Sequence, residues 1–285
     1  MTPLRQQMTE AMRQRGFSQR TQTTYLSAVT ELARFYRRSP AELGVEELQR
    51  YFNHLVQQRA LAPASCRVHL HGVRFLYLQV LRWSAFDVEL VIPKCPQRIP
   101  ELLTREEVRR ILQACDNPKH RMILELCYGC GLRVSEVCRL RVRDIDGERG
   151  QLRVEQGKGA KDRAVILPPS LLEHLRRYWR RQRPRDWLFP SATFAARAVS
   201  ISTPQKAFAR AKARAGVQRV GGIHSLRHAY ATHLLEGGLP VHQLQRLLGH
   251  RHLASTLRYM HWLPGQQREG TAHTDLLARL EVGHG

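Results

Sequence analysis

The chain of 285 residues is 42% hydrophobic and 25% charged, ordinary for a globular protein, and has no apolar run long enough for a membrane span or a signal-peptide core. Its charge is not ordinary, since 46 Lys and Arg against 24 Asp and Glu give a formal net charge of +22. Residues 1–100 hold twice as many basic as acidic side chains and the remainder nearly twice as many, which excludes a lone basic tail and suits a protein gripping a polyanion, nucleic acid first, from two sides.

The length fits two moderate domains in a soluble, cytoplasmic protein associated with the nucleoid. Leu4, Met8 and Met12 recur one turn apart up to Gly16 and predict a first helix. Ser18 caps a second, carrying Tyr25, Val29, Leu32 and Tyr36 and stopped near Pro40. A third helix carries Leu48, Phe52 and Leu55, and a fourth starts at Pro63 and runs through Val68, Phe75 and Leu78. Together they form a helical bundle over residues 1–88, studded with Arg20, Arg67, Arg74 and Arg82. Pro93, Pro96 and Pro100 then break the pattern, so 89–100 reads as an extended interdomain linker and 101–285 as the second domain.

In that domain TREE at 104–107 is a capping box opening a helix to about Ala114, and 121–128 forms another helix. After Gly129 and Gly131, GLRVSEVCRL starts a short helix with Arg133 in its first turns. Between 142 and 167 the period changes to two: LRVEQ and RAVIL alternate around the turn GKGA, a β-hairpin in a helical domain. Helices follow at 170–181, 203–215, 224–236 and 241–248, with short segments near Tyr259 and Leu276. The fold class is mainly α with a small antiparallel β-hairpin or sheet.

Six cysteines, Cys66, Cys95, Cys115, Cys127, Cys130 and Cys138, lie in or near apolar stretches and read as reduced core thiols. Cys127 and Cys130 form a CxxC, yet a structural zinc site wants a second pair at a standard spacing, which the chain does not offer. His224 and His228 share the HxxxH spacing of zinc proteases without the glutamate that would act as base. No metal site is therefore assigned, and His233, His242, His252 and His261 are read as surface, packing or substrate-facing residues.

The stretch 224–259 holds His224 and Arg227 one turn apart, an anion-directed pair, then His250 behind a glycine, then Tyr259 nine residues on beside Arg258. Here the sequence resembles the tyrosine recombinase (phage integrase) family over the whole chain. The family's His-x-x-Arg, Leu-Gly-His and tyrosine followed by x-His are matched in order by His224, Arg227, His250 and Tyr259. Its Gly-Leu-Arg-x-Ser-Glu box is matched at 131–136, which makes Arg133 the first arginine, and its hairpin lysine maps onto Lys158. With only six lysines in the chain, Lys158 and Lys161 in one tight turn stand out from background.

The resemblance implies a site-specific DNA recombinase that cleaves and rejoins strands through a 3′-phosphotyrosyl intermediate, for integration, excision or resolution. Tyr259 would be the nucleophile, Arg133 and Arg227 would hold the phosphate, and Lys158 would protonate the leaving 5′-oxygen. His224 would help to accept the tyrosine proton, His250 would bond the phosphate, and Glu136 would orient a catalytic side chain or remain a surface acid. Neither a cofactor nor a metal is implied, because the bond energy is kept in the phosphotyrosyl link.

The implied architecture is a two-domain DNA clamp with a helical core-binding (SAM-like) domain and a catalytic domain. Four protomers act on paired double-stranded DNA sites, possible accessory factors aside, with no membrane. Leu276, Leu277 and Leu280 in HTDLLARL are candidates for docking on a neighbouring protomer or on their own domain. Cys130 departs from the threonine common at its position. No amino-terminal arm-binding domain is expected, nor the insertion of integron integrases, so the type is compact, Xer-like or mobile-element. A type IB topoisomerase and a DNA-binding relative without catalysis remain as alternatives.

Overall fold

A computed structural model of the protein describes residues 2–88, 101–155 and 162–262, in two units, Met1–Arg98 and Ile99–Gly285. The first unit is built from α1 (Pro3–Gln14), α2 (Gln19–Tyr36), α3 (Val45–Asn53) and α4 (Pro63–Phe75). The Ser18 hydroxyl accepts the Thr21 N–H at 3.2 Å, the cap its sequence promised. Met8, Met12, Leu32, Leu48, Phe52, Leu55 and Val73 fill the core.

Both α3 and α4 run on into a π-helical turn, His54–Gln58 and Leu76–Val80. The wider turn lets Phe75, Leu76 and Tyr77 all be buried in succession, while Leu78 is half-buried. The expected stripe through Val68 needs correction. The buried face of α4 centres on Cys66 and Val73; Val68 lies opposite and is exposed, and there only the larger Phe75 ring finds cover, against Phe17 and Tyr25. Arg20, Arg67, Arg74 and Arg82 are all exposed, and Arg67 and Arg74, two turns apart, share a face of α4.

The second unit holds α5 (Arg105–Gln113), α6 (Pro118–Gly129), α7 (Val134–Cys138), α8 (Pro169–Gln182), α9 (Ser202–Arg214), α10 (His224–Glu236), α11 (Val241–Leu248) and α12 (Ala254–Met260). The capping box forms as expected, with Glu107 N–H donating to Thr104 Oγ1 at 3.1 Å and Thr104 N–H to Glu107 Oε2 at 2.8 Å. Three antiparallel strands lie in the order β1 (Ile145–Asp146), β2 (Gln151–Val154), β3 (Arg163–Ile166), with Leu152 facing both Ile145 and Val165. The alternating sequence announced β2 and β3; β1 is two residues long, too short to carry a period.

Helix α6 runs through the core of this unit, burying Met122, Ile123, Leu124, Leu126 and Cys127. Helix α10 packs on α6 with Leu226 and Ala229, which join that main cluster, and on α11 and α12 with Ala231 and Leu235. The latter belong to a separate, smaller cluster with Leu244, Leu248 and Tyr259. Cys66, Cys115, Cys127, Cys130 and Cys138 are free and buried, and burial pushes the Cys130 and Cys138 thiols up to about 12. Among the described residues, no helix is long and apolar enough to cross a membrane. The linker 89–100 with Cys95, the turn with Lys158 and Lys161, and Leu276, Leu277 and Leu280 lie outside the described residues.

Candidate active site

Arg133 stands at the N-cap of α7 rather than inside its turns, with extended backbone, so its side chain leaves the helix end. Three residues on, Glu136 is only 8% exposed and is no surface acid. Its carboxylate accepts the Arg133 N–H at 2.8 Å and Arg133 Nη1 at 2.7 Å. It also accepts both terminal nitrogens of Arg163, from β3, at 2.9 and 2.8 Å. Burial alone would raise this carboxyl; the forked Arg163 contact first, then Arg133, overcome it and hold the group down to about 2.

Arg227, on α10, is 1% exposed and is the largest fully buried side chain among the described residues. Such a charge persists only where carbonyls and anions surround it. Nη1 donates to the Gly131 carbonyl and lies 4.0 Å from Glu136 Oε2; Nη2 donates to the Leu248 carbonyl at 2.7 Å and sits 3.2 Å from His250 Nε2. Burial lowers the guanidinium to about 10, which leaves it a cation at neutral pH.

Two glycines make these approaches possible. Gly131 has φ +59°, and a Cβ there would lie 2.4 Å from Tyr230 Cδ1; Gly249, which ends α11 at φ +62°, would put one 2.7 Å from Arg163 Cδ.

The His250 tautomer follows from its partners. A guanidinium only donates, so Nε2 accepts from Arg227 and the Nδ1–H donates to Thr256 Oγ1 at 2.8 Å. Burial first, then Arg227 and Arg133, push this imidazole to about 4, so it is neutral. Its ring stacks on Tyr259, 5° from parallel with centroids 6.3 Å apart. Tyr259, on α12, is 4% exposed; burial raises its phenol above the usual value, opposed by Arg227, Arg258 and Arg133. The phenol oxygen lies 3.2 Å from His228 Nδ1, and Trp262 meets the ring edge-on at 5.1 Å.

Arg133, Glu136, Arg227, His250 and Tyr259 thus converge from α7, α10, α12 and the turn after α11. His224 opens α10 at the surface, its ring edge-on to His228 at 4.8 Å, and it is His228 that meets the phenol. Lys158 lies outside the described residues, although Arg163 anchors the base of its hairpin to Glu136. Sequence reasoning missed three contributors: His228, Arg163 and Thr256. Arg163 was detectable, since in a strand it shares the face of Val165, which is 1% exposed, and an inward arginine needs a buried partner.

The phage integrase family profile matches residues 101–265, and that of the phage integrase N-terminal SAM-like domain matches 4–84. The chain belongs to the phage integrase family. It is a tyrosine-type site-specific DNA recombinase of the Xer-like or mobile-element kind. A Sinorhizobium fredii protein provisionally named integrase/recombinase y4qK is 44% identical over 262 residues, 91% of this chain and 84% of its own length. The tyrosine recombinase XerA of Thermococcus kodakarensis is 33% identical over 258 residues, covering 88% and 89%. In fold, the recombinase resembles a solved lambda integrase dimer bound to a COC′ core site, at TM-score 0.72 and 22% identity over 88% of this chain and 94% of that one.

Proposed function

We propose that Tyr259 of this recombinase attacks a DNA phosphodiester and becomes linked to the 3′-phosphate, releasing a 5′-hydroxyl that a partner strand's 5′-hydroxyl later replaces. A phenol of pKa about 10 is roughly a thousandth ionised at neutral pH, so the attack needs a proton acceptor and cationic surroundings. Arg133 and Arg227 donate to the non-bridging oxygens as negative charge builds there, fixed in advance by Glu136 and by the Gly131 and Leu248 carbonyls. On phosphate binding His250 changes tautomer: Nδ1 gives up its proton and accepts from the Thr256 hydroxyl, while Nε2 carries the proton and donates it in a hydrogen bond to the phosphate. Lys158 protonates the departing 5′-oxygen, and His224 stays close to the tyrosine's proton path.

The observation that carries this reading is the buried Arg227, set between Glu136 and His250 with the Tyr259 ring stacked on that histidine. A nicked suicide DNA site traps the attack as a covalent adduct on a denaturing gel. Wild type forms it and Tyr259→Phe does not; an adduct with the phenylalanine variant overturns the assignment.

Residues 1–88 serve as the core-binding domain, 89–100 as the linker crossing the duplex, and the rest as the catalytic domain, a clamp supported by the basic excess on both halves. The lambda integrase dimer is bound to a core site and a XerH recombinase to its palindromic difH substrate, which supports double-stranded DNA as the partner here. Assembly into a tetramer on paired sites, in the cytoplasm at the nucleoid, completes the reading.

A further inference from the structure

Tyr259 needs a group to take its proton, and the imidazole within reach of the phenol oxygen is His228, with Nδ1 at 3.2 Å. His228 is one helical turn beyond His224 on α10, so both face the site, with His228 the inner ring. Aromatic rings fix its orientation: Tyr259 at 5.6 Å, Trp262 edge-on at 5.4 Å and His224 edge-on at 4.8 Å. The titratable and charged groups acting on it are His224 and Arg227 of α10 and Arg258 and Tyr259 of α12.

We propose that His228 is a catalytic residue of this recombinase, whose Nδ1 holds the Tyr259 hydroxyl and takes its proton as the phenol oxygen bonds to the scissile phosphorus. The inference rests on Tyr259 being the nucleophile. The new bond is Tyr259 Oη to phosphorus; the bond broken is phosphorus to O5′, whose electron pair leaves with the oxygen and takes a proton from the Lys158 ammonium. In religation the neutral Lys158 amine takes the proton of the incoming 5′-hydroxyl, the Tyr259 Oη–phosphorus bond breaks, and His228 returns its proton to the departing phenol.

In the DNA-free protein, burial and then His224, Arg227 and Arg258 keep this imidazole neutral, down at about 4, with a lone pair free for the phenol. A phosphate bound at Arg227 offsets that charge and makes the imidazole more basic. The base therefore strengthens only when the substrate is in place, and the free enzyme keeps its nucleophile protonated.

The test measures single-turnover cleavage of the nicked suicide site by the full chain between pH 6 and 9. It compares wild type, His228→Asn and His228→Gln, whose amides can bond the phenol but cannot take its proton. A second substrate carries a bridging 5′-phosphorothiolate, whose thiolate leaves unprotonated. The amide variants are expected to bind DNA as wild type does and to cleave about a hundredfold more slowly at pH 7. They should recover as pH rises toward ionisation of the phenol, and gain nothing from the sulfur substrate, which restores Lys158→Ala. A wild-type rate, an equal loss at every pH, or rescue by sulfur overturns the proposal. The glutamine variant decides should the asparagine variant fail to fold. Adduct formation by Tyr259→Phe would instead refute the underlying site, whereas a dead Tyr259→Phe beside a fully active His228→Asn refutes only the role of His228.

Discussion

Glu136 joins Arg133 to Arg163, two arginines brought together from a helix end and a strand, and the site's pH behaviour follows from such buried pairs. Its carboxyl is held at about 2 against an ordinary 4.5, so the stability it contributes is full above 4.5 and lost as pH falls through 2. His228 and His250 act in a higher window. Both sit at about 4 in the folded protein against an ordinary 6.5, so the unfolded chain takes up protons first and stability falls from pH 6.5 down to 4. Urea midpoints should therefore drop progressively between pH 7 and 4, and a flat profile would refute the buried, neutral state of the two rings. Arg133, Arg227, His250 and Tyr259 are legible in the sequence through the resemblance of their motifs to the phage integrase family, since spacing alone gives only an anion-directed pair at His224 and Arg227. His228 reads there only as a possible ligand partner of His224, because one sequence cannot reveal that a helix 31 residues on brings a phenol against it.

At the scale of elements, local chemistry was legible wherever it was self-contained. The Ser18 cap, the TREE box and the bounds of α10 and α11 each depend on residues within one turn. The π turns and β1 were not legible, since tertiary packing, not period, decides them. Gly249 allows a sharper test of how elements close on the site. Gly249→Ala combines a left-handed backbone with a clash against Arg163, whereas Gly216→Ala at φ +65° meets open space. The expected cost is about 1 kcal/mol for Gly216→Ala and roughly 1–3 kcal/mol more for Gly249→Ala by denaturant unfolding. Equal losses would mean that Arg163 yields freely.

For the whole molecule, the proposed assembly on paired sites would separate this enzyme from one that merely relaxes DNA. Joining of two sites should require both in the same reaction, and should weaken steeply with salt as phosphate contacts release counterions. Efficient relaxation of a supercoiled circle that carries no site would contradict the proposed tetramer.

The division of the catalytic unit into two apolar clusters bears on how such a reaction stays under control. Arg133 and Arg227 neighbour Leu132 and Leu226 of the large core around α6, whereas Tyr259 belongs to the five-residue cluster of α10, α11 and α12, to which Arg227 is tied through the Leu248 carbonyl. A small cluster opens at lower cost than a large one. The nucleophile is thus mounted on a cheaper hinge than the two arginines, with the bond from Arg227 to the Leu248 carbonyl as the strap between them. An opening confined to α12 moves Tyr259 alone, whereas one that reaches the end of α11 also loosens Arg227 and His250.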